Sequence, residues 1–261
     1  MSEAVSYGKY LKIEELLSLQ QPRDKVEHDE MLFIVIHQVY ELWFKVVIHE
    51  VDYCCRLLAA SDAPRALHTL KRVLTILKVL VAQLDILETM TPTEFLTFRE
   101  RLDSASGFQS DQFRALEFAL GKKSRASVDR FGEGTRARTS LEARWEGATL
   151  WDAAMRYLAG EGYAVPEQTL GRDVTQNIEA SGEVQAMLME VYRNDPRNAE
   201  LCERLVDLDE GIQEWRYRHV KMVERTIGMK QGTGGSAGSA YLRTTLNAPL
   251  FPDLWEIRSR L

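Results

Sequence analysis

Apolar positions recur at helical spacing along almost the whole chain, and strand-like alternation is nearly absent. Residues 29–60 read as one long helix dense in Leu, Ile, Val, Trp and Phe, ended by the Ser-Asp-Ala-Pro break at 61–64. Residues 65–90 read as a second helix, with Leu67, Leu70, Leu74, Leu77 and Leu80 at helical spacing. Thr91, Pro92 and Glu94 form a capping-box signature, which predicts a third helix over 92–102. DSASGFQS, 103–110, reads as a turn, followed by a helix at 111–120. Residues 121–140 carry six basic and two acidic side chains and three glycines, and read as a polar connection with room for a short helix. Further helices are predicted at 149–160 and 177–193, a turn at Asp195-Pro196, and a long helix at 197–227.

That last helix carries a regular stripe: Leu205, Leu208, Ile212, Trp215, His219 and Met222, spaced 3, 4, 3, 4 and 3. This is the seam of a helix facing other helices. Gly228 stops it, and Gly232, Gly234, Gly235 and Gly238 follow in a loop. With no internal repeat and no linker, residues 1–261 are expected to form a single all-α domain built around a helical bundle.

Composition narrows the class. Of 261 residues 45% are apolar and 28% charged, ample for a globular core. A net charge of −6 argues against general nucleic-acid binding, which needs a basic face. The expectation is of no membrane span and no secretory leader, since no run of about 18 apolar residues and no basic-then-apolar N-terminus is visible. Three cysteines, Cys54, Cys55 and Cys202, suggest reduced thiols and a cytoplasmic location.

With five histidines in all, each one matters. No H-E-x-x-H, no Glu three residues before a histidine and no Cys-x-x-Cys is present, which excludes the common zinc, di-iron-bundle and covalent-heme signatures. A helical protein can still hold a non-covalent heme through one axial histidine beside an apolar cleft. His219 lies on the apolar seam, with Arg216 and Arg218 placed to meet propionates; the alternative is a core histidine bonded to a carbonyl. His37, in LFIVIHQVYELWF, shares a helix face with Phe33 and with Tyr40 or Glu41, and either orients a ligand's polar atom or is a satisfied buried histidine. His28 caps or precedes the long helix, and His49 and His68 read as surface residues. Arg99, between Phe95, Phe98 and acidic neighbours, suits a carboxylate clamp or a surface ion pair. The loop GMKQGTGGSAGSA departs from the strict phosphate-binding pattern and suits a lid, with Thr233 and Ser236 as hydroxyl donors.

Taken together, these segments resemble the tryptophan 2,3-dioxygenase family. The resemblance runs through YGKYLKIEELLSLQQP (7–22), HDEMLFIVIHQVYELWFK (28–45), TPTEFLTFRERLDSASGFQSDQFR (91–114), EWRYRHVKMVERTIGMKQGTGGSAGSAYL (214–242) and FPDLWEIR (251–258), and is weakest over 121–200. It implies a heme b enzyme that uses O2 to open the indole ring of L-tryptophan, giving N-formylkynurenine, in an all-α helical bundle with a heme cleft. His219 matches the proximal iron ligand, and His37 the distal histidine that hydrogen-bonds the indole N–H. Phe33 matches the aromatic packed on the indole, Arg99 the carboxylate clamp, and Thr233 the threonine near the substrate's ammonium and carboxylate. Phe95 falls where some relatives carry Tyr, so a tyrosine hydroxyl's help with the carboxylate is missing here. Ser106 and Gly107 match the loop lining the distal pocket. Tyr7 and Tyr10, in the segment 1–27, match residues that reach into a neighbouring subunit's site, which implies a homotetramer. Leu84 falls where relatives carry Trp, and that departure keeps open a same-scaffold monooxygenase giving a 2-oxindole from tryptophan or a β-substituted tryptophan. A heme-free helical binding protein is the alternative from another class.

Overall fold

A computed structural model describes residues 5–23, 26–102, 105–230 and 238–261. In chain order its helices are α1 (Tyr7–Leu11), α2 (Ile13–Leu17), α3 (Asp29–Ala59), α4 (Ala63–Leu87), α5 (Pro92–Arg99), α6 (Asp111–Ala119), α7 (Arg125–Val128) and α8 (Arg136–Glu146). They continue as α9 (Leu150–Gly160), α10 (Glu167–Leu170), α11 (Gly182–Asn194), α12 (Pro196–Ile227), α13 (Ser239–Arg243) and α14 (Pro252–Glu256). Single 3-10 turns lie at Glu100–Leu102, Gly107–Gln109 and Ile257–Arg260, and no strand occurs among the described residues.

The local signals act as their chemistry dictates. Thr91 accepts from the Glu94 N–H while the Glu94 carboxylate accepts from the Thr91 N–H, the reciprocal pair that starts α5. Asp62 caps α4 through the Arg65 N–H, so Ala63-Pro64 opens that helix and does not merely break the previous one. Gly228 ends α12 at φ +60°, a conformation that costs a residue with a Cβ.

α3, α4 and α12 form the centre. α3 and α12 both pack along α4 and meet each other through Tyr40, Phe44 and Trp215, and α6 and α9 close over α3. Val47, Val51, Leu70, Val73, Leu205 and Leu208 are among the side chains they bury. By length and apolar composition α3 would pass as a membrane span, which corrects the expectation that no such segment exists. In this fold it is a bundle helix: Tyr40 donates to the Leu80 carbonyl at 2.7 Å, and Glu50 pairs with Arg72 at 2.8 Å. Much of its apolar surface nonetheless stays open, with Met31, Val35, Leu42 and Val46 exposed.

Two stretches differ from the sequence expectation. Residues 121–140 hold the short α7 as foreseen, but α8 begins inside them and runs on to Glu146. Leu141 is its one buried residue, so it shows no apolar stripe. Tertiary bonds hold it: Arg144 pairs with Asp52, and the buried Lys123 donates its ammonium to the carbonyls of Arg144, Trp145 and Gly147 at 2.7, 3.1 and 2.8 Å. The helix expected at 177–193 starts at Gly182, where Ser181 caps it.

Candidate functional site

A cleft opens between α3, α5, α6, α12 and α13 and encloses about 1620 Å³ of empty space, part of it continuous with solvent. Phe33, His37, Phe95, Arg99, Ser106, Gly107 and His219 all line it. Residues 33 to 219 are thus brought together because α3 and α12, both crossing the centre of the bundle, present a histidine each to the same space. Leu84 lines it too, from α4.

His219 completes the α12 stripe whose other members are all buried. Trp215, one turn earlier, stacks parallel on it, with ring centroids 5.1 Å apart and 4° between planes. Phe113, Tyr40 and Phe44 pack round Trp215 at 4.9, 6.3 and 6.2 Å and fix it in turn. Burial, reinforced by His37, pushes the His219 pKa down to about 4. At neutral pH the ring is therefore uncharged and offers a lone pair, the form in which imidazole binds a metal.

His37 resolves differently from either bare alternative. Its Nδ1 lies 2.7 Å from the Phe33 carbonyl, which only accepts, so Nδ1 carries the proton. Desolvation by the surrounding cleft walls lowers its pKa, partly offset by that carbonyl and by Glu41, so the neutral ring prevails near pH 7 and Nε2 is left as an acceptor on a side chain that remains solvent-accessible. Phe33 lies 4.1 Å away, ring centroid to ring centroid, and Phe95 and Phe98 lie 5.8 and 5.5 Å beyond it. This is an aromatic wall with one lone pair beside it.

Arg99 ends α5 on the cleft, and Glu94, one of its acidic neighbours, is engaged in the capping box. Ser106 uses its hydroxyl to cap the 3-10 turn through the Phe108 N–H, and Gly107 stands at the mouth with open space where a Cβ would be. Thr233, Ser236 and most of the glycine loop lie outside the described residues. Tyr7 and Tyr10 do not line the cleft and are 76% and 77% exposed. His28 sits at the N-cap of α3 without a side-chain cap bond, and His49 and His68 are exposed.

The arginine expectation needs correction. Arg218 is turned away to the outer face of α12, where Asp85 and Glu88 hold it at 2.7 and 3.3 Å. Arg216, 4% exposed, lines the cleft and pairs with Glu117 at 2.9 Å. Arg114 and Glu117 also line the cleft, and the sequence reading passed over both; their spacing of three on the apolar helix 111–119 was the available signal. Arg216 Nη1 and Arg114 Nε are buried without a partner. Donors of this kind are set up for an anion.

Among the described residues no three His, Cys, Asp or Glu side chains gather as a metal site. The cleft thus combines apolar walls, two neutral imidazoles and buried guanidinium donors.

The chain is similar to known proteins over its full length. A family model described as tryptophan 2,3-dioxygenase matches residues 1–142 and 167–261. The chain is 59% identical to a tryptophan 2,3-dioxygenase of Herpetosiphon aurantiacus, over the full length of both. It is 54% identical to one of Anaeromyxobacter sp. (strain K), covering all of this chain and 97% of the relative, and 44% identical to one of Caulobacter vibrioides over the full length of both.

Proposed function

The chain belongs to the tryptophan 2,3-dioxygenase family, and from that premise we propose that its cleft is a heme site at which L-tryptophan and O2 react. The enzyme is an oxidoreductase that adds both atoms of O2 across the indole C2=C3 bond and yields N-formylkynurenine. The observation that carries the site is that two neutral histidines on different helices, His37 and His219, line one apolar cleft whose wall holds two unsatisfied arginine donors.

The residues fit a heme: apolar walls for its ring, one neutral imidazole for its iron and buried guanidinium donors for its two carboxylates. His219 would hold the iron, and Arg216 and Arg114 would hold the carboxylates. Bound there, the heme would supply O2 activation. The other roles fall to the protein. Arg99 takes the substrate carboxylate, Phe33 and Phe95 the indole face, and Ser106 and Gly107 the rim. His37 Nε2 accepts from the indole N–H, so His37 orients the ring and need not remove a proton. Thr233 is assigned to the substrate's polar end by its place in GTGGS.

The chain is read as one domain, because the site draws residues from Phe33 to Thr245. A homotetramer is proposed, with segment 1–27 reaching a neighbour. The exposed Tyr7, Tyr10, Leu17 and Leu19, together with the open face of α3, support it. A cytoplasmic location accords with the three free thiols.

Purified, heme-supplied protein given tryptophan under labelled O2 tests the reading. The expected product gains two oxygen atoms. A gain of one atom would establish the 2-oxindole monooxygenase, and a protein with no Soret band would reject both enzymes.

A further inference from the structure

Glu117 is an unusual carboxylate. It is 6% exposed, sits on α6 in the wall of the cleft, and is surrounded by cations from three places in the chain. Arg114, one turn earlier on α6, pairs with Oε2, and Arg216 of α12 donates to Oε1 at 2.9 Å. Lys122, placed by its own N–H bonding the Glu117 carbonyl, brings Nζ to 3.7 Å from Oε1. Three cations thus meet one carboxylate, which leaves the cluster two positive charges in excess. Buried like charges at such density cost energy unless anions answer them. Both arginines keep a buried N–H with no partner.

Resting on the heme reading above, we propose that Glu117 is a positioning residue that turns Arg114 and Arg216 toward the two heme carboxylates and sets the charge balance beside the iron. A heme carries two propionates, so its charge cancels the excess of the cluster. Glu117 touches neither substrate nor iron in this scheme. It acts through the arginines, by tying one edge of each guanidinium fork so that the other edge is left for the ligand. It also removes one of three positive charges that would otherwise favour the ferrous form, because positive charge near the iron stabilises the state with one electron more.

Two neutral substitutions of opposite sign test this. The heme-loaded wild type, Glu117→Gln and Lys122→Met are compared by spectroelectrochemical midpoint potential. Glu117→Gln is expected to move the potential up and Lys122→Met to move it down, an opposed pair that a purely structural role would not produce. Should Glu117→Gln fail to fold, Lys122→Met, altered at the half-exposed edge of the cluster, decides alone. In parallel, wild-type apoprotein is titrated with hemin and with hemin dimethyl ester. A preference of tenfold or more for the free acid is expected, and Arg216→Met should abolish it. Potentials equal to wild type in both variants, or equal affinity of wild type for acid and ester, would overturn the proposal. A wild type that binds no hemin would instead remove the heme reading itself.

Discussion

Trp215 lies flat against His219, one helical turn away, with 5.1 Å between ring centroids and 4° between their planes. The contact buries one face of the imidazole and fixes its rotation, since Trp215 is itself wedged among Tyr40, Phe44 and Phe113. One face of the ring is thus taken by Trp215, and the rest of it is left to the cleft.

The same burial makes the apoprotein sensitive to acid. The folded pKa of His219, about 4, lies below the 6.5 of the unfolded chain, so the unfolded state binds more protons between these values. The stability this site contributes is complete above about pH 6.5 and is lost as pH falls toward 4. His37, also lowered, acts in the same direction. In urea titrations His219→Phe should lose less stability than wild type between pH 7 and pH 5. Parallel curves would refute the assignment.

His219→Ala should abolish the five-coordinate histidine-ligated ferrous spectrum. Survival of that spectrum would mean that another residue ligates the iron.

His37→Ala should keep that spectrum and lower kcat/KM by about 1–3 kcal/mol, roughly 5- to 150-fold. Because Nε2 is the acceptor for an indole N–H, wild type should prefer tryptophan to its N1-methyl analogue on this account. The variant should lose most of that preference. An unchanged ratio would take His37 out of the orienting role.

Arg99→Ala removes a charge-assisted pair worth roughly 2–3 kcal/mol, so KM for tryptophan should rise about 30- to 150-fold. Indole derivatives lacking the carboxylate should be affected little. Steady-state kinetics on both substrates separates a clamp from a general loss of structure.

Asp209 tests the packing that supports the cleft from behind. This fully buried carboxylate accepts from the N–H groups of Leu250 and Phe251 and from Trp255 Nε1, at 2.8, 3.1 and 2.9 Å. Asp209→Ala leaves these three donors and Gln213 Nε2, which bonds the other carboxylate oxygen at 2.9 Å, without their acceptor, and should cost about 2–4 kcal/mol in chemical denaturation. It should also open the chain near residue 250 to limited proteolysis. Wild-type stability and protease resistance would contradict the clasp.

Most of the framework was legible in the sequence because α3, α4 and α12 each bury a regular apolar face, and a regular face leaves a regular spacing. The caps at Thr91 and Gly228 were legible for the same local reason: their chemistry involves residues three or four positions apart. α8 was not, since its bonds run to Asp52 and to Lys123, and nothing within residues 136–146 marks them. The histidines could be placed on helix faces, yet the choice between a satisfied core ring and a ligand-facing one was open for both.

The sequence by itself thus determined the long framework helices α3, α4 and α12 and the capped start of α5, because backbone bonds, caps and amphipathic periods are set over a few neighbouring positions. Tertiary structure alone decided that His37 and His219 share one space. It also decided that Arg216, and not Arg218, turns inward. Those two arginines are two positions apart on one helix and point to different sides. Only the packing of α12 against α4 and α6 puts Glu117 before one of them and Asp85 and Glu88 before the other.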